Sequence, residues 1–297
     1  MRYGLHVGGG AVMGKSSAAQ RIGELAEELG YDGIVTGDHI TIPKEIGSTY
    51  PYTKLAESMG YNPYAVFTTM DWLDAFTVLG LLVPVTKTVR LGTSVTIVPY
   101  RHPLDMARVV ASLDVASGGR IIFGAGVGWM REEFELLGVP YKERAPRTRE
   151  YLRVMQEVWS ADSPRFDGRY VQIDKDLHFA PRPVQKPHPP IWVGGESTPA
   201  LKRVVEFGAG WHIGPVDIED VRPRFDELRE LMEAAGRTYD ELEITWMVDT
   251  TRTDAAAIRA YRDLGVHGLY VTAASADPDE VCAIMRDFPK KVRDAVG

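Results

Sequence analysis

Gly37-Asp38-His39 is the segment of this sequence best suited to proton chemistry. It follows a short apolar run, Gly33 to Thr36, that reads as a strand, and a histidine at such a strand end can give or take a proton near neutral pH. Asp38 could orient the His39 ring or receive a donor from a cofactor, although a turn aspartate beside a surface histidine uses the same letters. Gly92-Thr93-Ser94-Val95-Thr96 closes another strand, where hydroxyls could bond polar ring edges and Val95 could present an apolar contact to a flat cofactor. In Gly124-Ala125-Gly126-Val127-Gly128 three alternating glycines permit close backbone approach and expose amide donors. Trp129-Met130-Arg131 follows without opening a long helix, so this is not the dinucleotide fingerprint. Gly194-Gly195-Glu196-Ser197-Thr198-Pro199 offers free amides and hydroxyls suited to a phosphate, and is equally a capped helix start.

These segments need a scaffold that gathers strand ends, and the chain supplies alternating units. Strands are expected at Tyr3–Val7, Gly33–Thr36, Val89–Val95, Arg120–Gly124, Pro190–Val193, Gly210–Ile213, Leu242–Val248 and Leu269–Thr272. Helices are expected at Ser17–Leu29, Asp71–Leu82, Leu104–Ala116, Thr148–Trp159, Leu201–Phe207, Val221–Ala234, Ala255–Leu264 and Pro278–Met285. Eight such units fit barrel closure, because an open sheet of that size leaves edges needing cover. The reading is one (β/α)₈ TIM barrel over residues 1–297, with the catalytic end at the C-terminal ends of the strands. Insertions are expected after strand two (a turn-rich stretch to about Met70), after strand four (a short helix within Trp129–Leu137), and before strand five (a hairpin within Phe166–Pro190). Most of Trp129, Trp192, Trp211 and Trp246 should pack barrel layers, with one lining a pocket.

Composition narrows the function classes. With 34 Lys plus Arg against 41 Asp plus Glu, the formal charge of -7 disfavours nucleic acid. Cys282 is the single cysteine, which excludes an internal disulfide framework, and the seven histidines include no His-x-x-x-His pair, so no metal site is expected. The longest aliphatic run, Val78 to Val85, is too short to span a bilayer, and Met1 to Val7 is not followed by an export signal. The expectation is a cytoplasmic enzyme that does not engage membranes.

Taken together, the ordered segments resemble the bacterial luciferase-like family of flavin- or deazaflavin-dependent oxidoreductases. The matching stretches are Leu25 to Gly33, Gly37-Asp38-His39, Val89 to Thr93, Arg101-His102-Pro103, Leu113 to Arg120, Gly124 to Trp129, and Pro190 to Gly195. The resemblance implies a barrel that holds a cofactor ring over the strand tops and its phosphate-bearing tail in side loops. It is stronger to the branch using coenzyme F420, with FMN as the alternative. On this resemblance His39 is the catalytic candidate beside the ring, and Ser94-Val95 aligns with a non-prolyl cis peptide whose bulge supports it. Asp38, Gly124, Gly126 and Gly128 join the expected cofactor contacts, with Gly194, Gly195 and Ser197 at the phosphate. Val127 stands where some F420-dependent sugar-phosphate dehydrogenases carry a glutamate, which argues against copying that substrate here. Glu132 and Glu133 are nearby, but their register is read as helix surface. The implied activity is hydride transfer between F420 and a small organic substrate. Its alternatives are an FMN-dependent monooxygenase served by a separate flavin reductase and a non-catalytic cofactor-binding barrel. A homodimer is expected on family grounds.

Overall fold

The first turn of the chain already follows the barrel rule: β1 (Arg2–His6) ends inside the molecule, and α1 (Ala18–Leu29) returns over it with Ile22, Leu25 and Ala26 buried. The computed structural model describes residues 1–15, 17–58 and 62–296. After β2 (Gly33–Thr36) the insertion carries two short helices, α2 (Thr53–Ser58) and α3 (Pro63–Thr69), before α4 (Ala75–Leu82). The stretch expected to be turns to about Met70 is therefore partly helical, and its residues 59–61 lie outside the described residues. The expected helix at Asp71 starts later, because Asp74 caps it by accepting the Thr77 amide.

β3 (Arg90–Thr93) and β4 (Thr96–Ile97) flank the Ser94–Val95 peptide, which is cis. Then come α5 (Pro103–Ser117), β5 (Ile121–Gly126), the short α6 (Arg131–Leu136) and α7 (Arg144–Ser160). The hairpin expected before strand five is present as antiparallel β6 (Phe166–Asp167) and β7 (Gln172–Ile173). The chain continues through β8 (Ile191–Gly194), α8 (Thr198–Phe207), β9 (Gly210–Ile213), α9 (Ile218–Ala234), β10 (Glu243–Val248), α10 (Ala255–Asp263), β11 (Gly268–Thr272) and α11 (Pro278–Val296). The last helix runs well past the expected Met285 because Phe288, Val292 and Ala295 continue its buried stripe.

All barrel pairings are parallel, in the order β3-β2-β1-β11-β10-β9-β8-β5, and β3 pairs with β5 to close the ring. With β3 and β4 counted as one interrupted strand, this is the eight-stranded (β/α)₈ barrel expected from the alternation. The larger core lies between strands and helices and includes Trp211 and Trp246. A second layer fills the barrel itself with Val35, Ile122, Trp192 and Tyr270. Below it, Arg90 bonds Asp32 and both oxygens of Glu243 (2.9 and 2.7 Å), and Tyr270 donates to Asp32 at 3.0 Å. This polar plug closes the N-terminal end, so a ligand enters from the opposite face, at the strand C-termini.

Candidate active site

Inward positions alternate along each strand, so the last inward residue of each one meets the open end of the barrel. His6 of β1, Ser94 and Val95 after β3, Gly126 of β5, Gly194 of β8, His212 of β9 and Met247 of β10 thereby line one cavity of about 530 Å³. The insertion after β2 supplies the opposite wall with Tyr50, Phe67 and Trp72, and the β5 loop adds Trp129.

His39 stands in that wall. Its ring meets Phe67, Trp72 and Trp129 edge-on at centroid distances of 5.3, 5.1 and 6.4 Å. Its Nδ1 lies 2.6 Å from Oε2 of Glu133, which is completely buried on α6. The same carboxylate accepts the Tyr100 hydroxyl at 2.9 Å and the amides of Ile40 and Thr41 at 2.7 and 3.1 Å. Burial pushes the Glu133 carboxyl up, but the hydrogen bond and charge of His39, with the Thr41 and Ile40 amides, outweigh it and hold the group below the usual carboxylate range. An ionised carboxylate accepts only, so the imidazole presents Nδ1–H to Glu133, and among the described residues its Nε2 has no hydrogen-bond partner. A fixed tautomer beside an apolar cavity suits proton exchange at Nε2.

Two sequence expectations are corrected here. Asp38 does not orient His39: it is buried, and its two oxygens take a bidentate pair from Arg101 (2.7 and 2.9 Å) and the Ile97 amide at 3.1 Å. It pins the loop after β4, and Glu133 does the orienting. Two of the three glutamates of α6, Glu132 and Glu133, also turn from the helix surface to the insertion. Glu132 accepts the amides of Gly47 and Ser48 and the Ser48 hydroxyl, so both acids fasten the insertion to the barrel. Helical register alone marks them as surface, because the chain that covers them is distant in sequence.

The alternating glycines also make room for the chain itself. A Cβ on Gly124 would lie 1.9 Å from the Thr93 carbonyl oxygen, on Gly126 2.4 Å from Val95 Cγ2, and on Gly128 2.7 Å from Ile97 Cγ2. Successive glycines thus receive successive alternate residues of the neighbouring strand, and the close approach is by the chain itself. Gly124 does not reach the cavity, whereas Gly126 and Gly128 line it. Gly194 clears space on the other side of Val95, 3.0 Å from Cγ1, so Val95 is seated between β5 and β8. Gly126→Ala is expected to overpack this seat and destabilise the protein by about 1–3 kcal/mol. Thermal melting checks this, and an unchanged midpoint would mean that Val95 yields freely.

Gly195, at φ +100°, turns the chain after β8 in the region glycine adopts without strain. Ser197 follows at the N-cap of α8; it is exposed, makes no side-chain cap and stands outside the cavity lining. Glu196 accepts the Gly214 amide at 2.7 Å, and burial nonetheless raises its pKa.

Several site residues escaped the sequence reading. His212 contacts Ser94 Oγ at 2.8 Å through Nε2 and Thr245 Oγ1 at 2.7 Å through Nδ1, and stacks on Trp192 at 5.5 Å. Burial, with the neighbouring His6 adding to it, lowers His212 to about 3, and burial lowers His6 to about 4. His6 ends β1 and His212 is the last inward residue of β9, placements at strand tops like the one that singled out His39. Trp72 is seated where Gly9 has no side chain, since a Cβ there would lie 2.4 Å from its ring. Among the described residues, no group of three or more His, Cys, Asp or Glu could hold a metal ion, and no helix is long and apolar enough to cross a membrane.

The comparison with known proteins agrees with this geometry. A family model described as luciferase-like monooxygenase matches residues 5–280. An uncharacterized protein of Mycobacterium tuberculosis is 33% identical over 214 residues, which cover 72% of this chain and 73% of that protein. Among solved structures, monooxygenase RslO1 from Streptomyces bottropensis has a TM-score of 0.77 at 21% identity, covering 100% of both chains. The coenzyme F420 dependent tetrahydromethanopterin reductase from Methanopyrus kandleri has a TM-score of 0.73 at 17% identity, covering 98% of this chain and 99% of that one. Those two likenesses establish a shared barrel, and the family match over most of the sequence establishes more: this chain belongs to the luciferase-like monooxygenase family.

Proposed function

We propose that this protein is an F420-dependent oxidoreductase that transfers hydride between the deazaflavin and a small organic substrate. The observation that carries the reading is the His39–Glu133 dyad, a buried carboxylate that fixes one tautomer of an imidazole in the cavity wall. When bound, F420 would supply the hydride acceptor or donor, a role no side chain can fill. The protein's share is the proton. As an alcohol is oxidised, its carbinol hydrogen leaves as hydride and its hydroxyl proton passes to Nε2 of His39; in reduction the same atom returns it.

The residues present fit such a cofactor. Val95 and Ser94 face the cavity as a ledge for a flat ring, with Gly126, Gly194 and Gly195 leaving the surface around it free of side chains. An anionic tail finds cations beyond the β5 and β8 loops. Arg149 and Arg153 of α7 both pair with Glu206 of α8, whereas one turn nearer the helix N-termini Arg203 has no carboxylate partner among the described residues. Nearby Arg144 lies 3.9 Å over the Tyr141 ring and donates to the Tyr141 carbonyl at 3.0 Å, and its Nε has no partner among the described residues. Burial and then the charge of Arg144 lower the pKa of Arg203, which marks two cations held close without an anion between them. F420 carries carboxylates beyond its phosphate and so offers this pair more charge than FMN does.

Calorimetry of the two cofactors in one buffer tests the assignment. F420 is expected to bind more tightly, and Arg203→Ala is expected to weaken F420 by roughly tenfold, the scale of one charge-assisted hydrogen bond. Clear FMN binding with none for F420, together with oxygen-dependent turnover, would replace this reading with an FMN monooxygenase fed by a flavin reductase. Binding without any substrate-dependent redox change would leave a cofactor-binding barrel.

A further inference from the structure

Three of the four acidic and basic residues that line the cavity, Asp38, Asp217 and Arg252, are held in ion pairs. Of the charged residues that line it, Asp38 is paired with Arg101, and Arg252 donates to Asp217 at 2.8 Å. Asp249 has no cation partner among the described residues and turns back on its own loop to accept the Thr251 amide at 2.7 Å. The wall around His39 is aromatic, and the floor is formed by groups that stay neutral. An anion entering such a chamber would lose its hydration without gaining a counter-charge, and a cation would find only Asp249, already engaged by its own loop, whereas a neutral molecule loses little.

One floor residue has hydrogen-bonding capacity to spare. His212 spends both ring nitrogens on Ser94 and Thr245. His6 lines the same cavity and is 7% exposed, and among the described residues its buried Nδ1 has no hydrogen-bond partner. A neutral imidazole carries one donor and one acceptor nitrogen. A sealed, unpaired N–H is the rarer of the two defects in folded proteins, so the proton belongs on Nε2, the nitrogen an occupant can reach. With its pKa lowered to about 4, the ring holds that single-donor form throughout the neutral range.

We infer that the cavity selects an uncharged substrate bearing one hydrogen-bond-accepting oxygen, carbonyl or hydroxyl, and that Nε2–H of His6 donates to that oxygen. This names the substrate class for the site, and it rests on the proposed function for the reaction the substrate undergoes. His6 is then a recognition residue: His39 exchanges the proton, and His6 holds the oxygen while remaining a donor.

The test is binding of four matched probes to the F420-saturated protein, read by calorimetry or by quenching of Trp72 and Trp129 in the cavity wall. The probes are cyclohexanone, methylcyclohexane, cyclohexanecarboxylate and cyclohexylammonium. Cyclohexanone is expected to bind at least about tenfold more tightly than each of the other three, the scale of one hydrogen bond made or of one charge left uncompensated. His6→Leu, which replaces a poorly satisfied ring by an apolar side chain and should fold, is expected to erase the advantage of the ketone over methylcyclohexane. His6→Gln, which restores an N–H donor, should recover part of it. Carboxylate or ammonium binding as tight as the ketone overturns the inference, as does equal ketone affinity in parent and His6→Leu. Loss of F420 affinity in His6→Leu with ketone selectivity intact would assign the donor to the cofactor and also overturn it. Because the readout is binding, ketone selection that depends on His6 in a protein without F420 turnover would defeat the proposed reaction and leave this inference standing.

Discussion

His39→Asn is expected to lower the single-turnover hydride-transfer rate by about 100-fold with cofactor saturated, the usual scale for loss of a general acid or base. Asparagine keeps polarity and hydrogen-bonding capacity but cannot hold a transferable proton near neutral pH. F420 affinity and thermal midpoint should change much less, because the aromatic wall of Phe67, Trp72 and Trp129 remains. Glu133→Gln should lower the rate by roughly tenfold with F420 affinity retained, since the imidazole is then free to take either tautomer. Adding Glu133→Gln to His39→Asn should cost little further rate, because the carboxylate acts on the reaction through the ring. Tyr100→Phe removes one of the other hydrogen bonds to Glu133 and serves as the control for a purely structural effect. A rate unchanged in His39→Asn would remove His39 from the chemistry, and full additivity of the two substitutions would separate Glu133 from it.

The second large effect is on stability. Folding lowers His6 to about 4 and His212 to about 3 from an ordinary value of 6.5, so above that value both folded and unfolded chains carry neutral imidazoles. Between pH 6.5 and about 4 the unfolded chain binds two protons that the native barrel refuses. Stability must therefore fall as the pH falls through this window, with a slope approaching about 1.4 kcal/mol per pH unit for each histidine. Urea unfolding at several pH values across the window measures the slope. His6→Leu should reduce it by about half, since one of the two groups no longer titrates. A stability that stays flat from neutrality down to pH 5 would mean that the native protein protonates these rings, and the dry floor assigned to the cavity would be wrong.

The sequence by itself determined the barrel and the end at which its site lies. Alternating strands and helices close into a ring, and the last inward residue of each strand must then face the open end. His39, Val95, Gly126 and Gly194 were legible as members of segments that follow or close strands, and all four line the cavity at that end; the extension of α11 past Met285 was legible too, since the apolar stripe continues in the letters. The hairpin at Phe166–Ile173 was legible because the stretch from Phe166 to Pro190 breaks into short alternating pieces and prolines with no helix length.

What lay outside the sequence was partnership between segments far apart in the chain. Asp38 and His39 are adjacent, yet they point to different partners, Arg101 and Glu133, because successive residues at a strand end project in opposite directions. Glu133 looks like helix surface until the insertion 94 residues upstream lies over it. The glycines of Gly124-Ala125-Gly126-Val127-Gly128 advertise close approach, and a single strand cannot say by what. Only the register of β3 and β4 against β5 fills that space with Thr93, Val95 and Ile97. Short-range pattern fixes which way each strand and helix faces, because that depends on backbone geometry within a few residues. Which acid meets which base is decided by burial across the closed barrel, where an unpaired charge costs too much to remain.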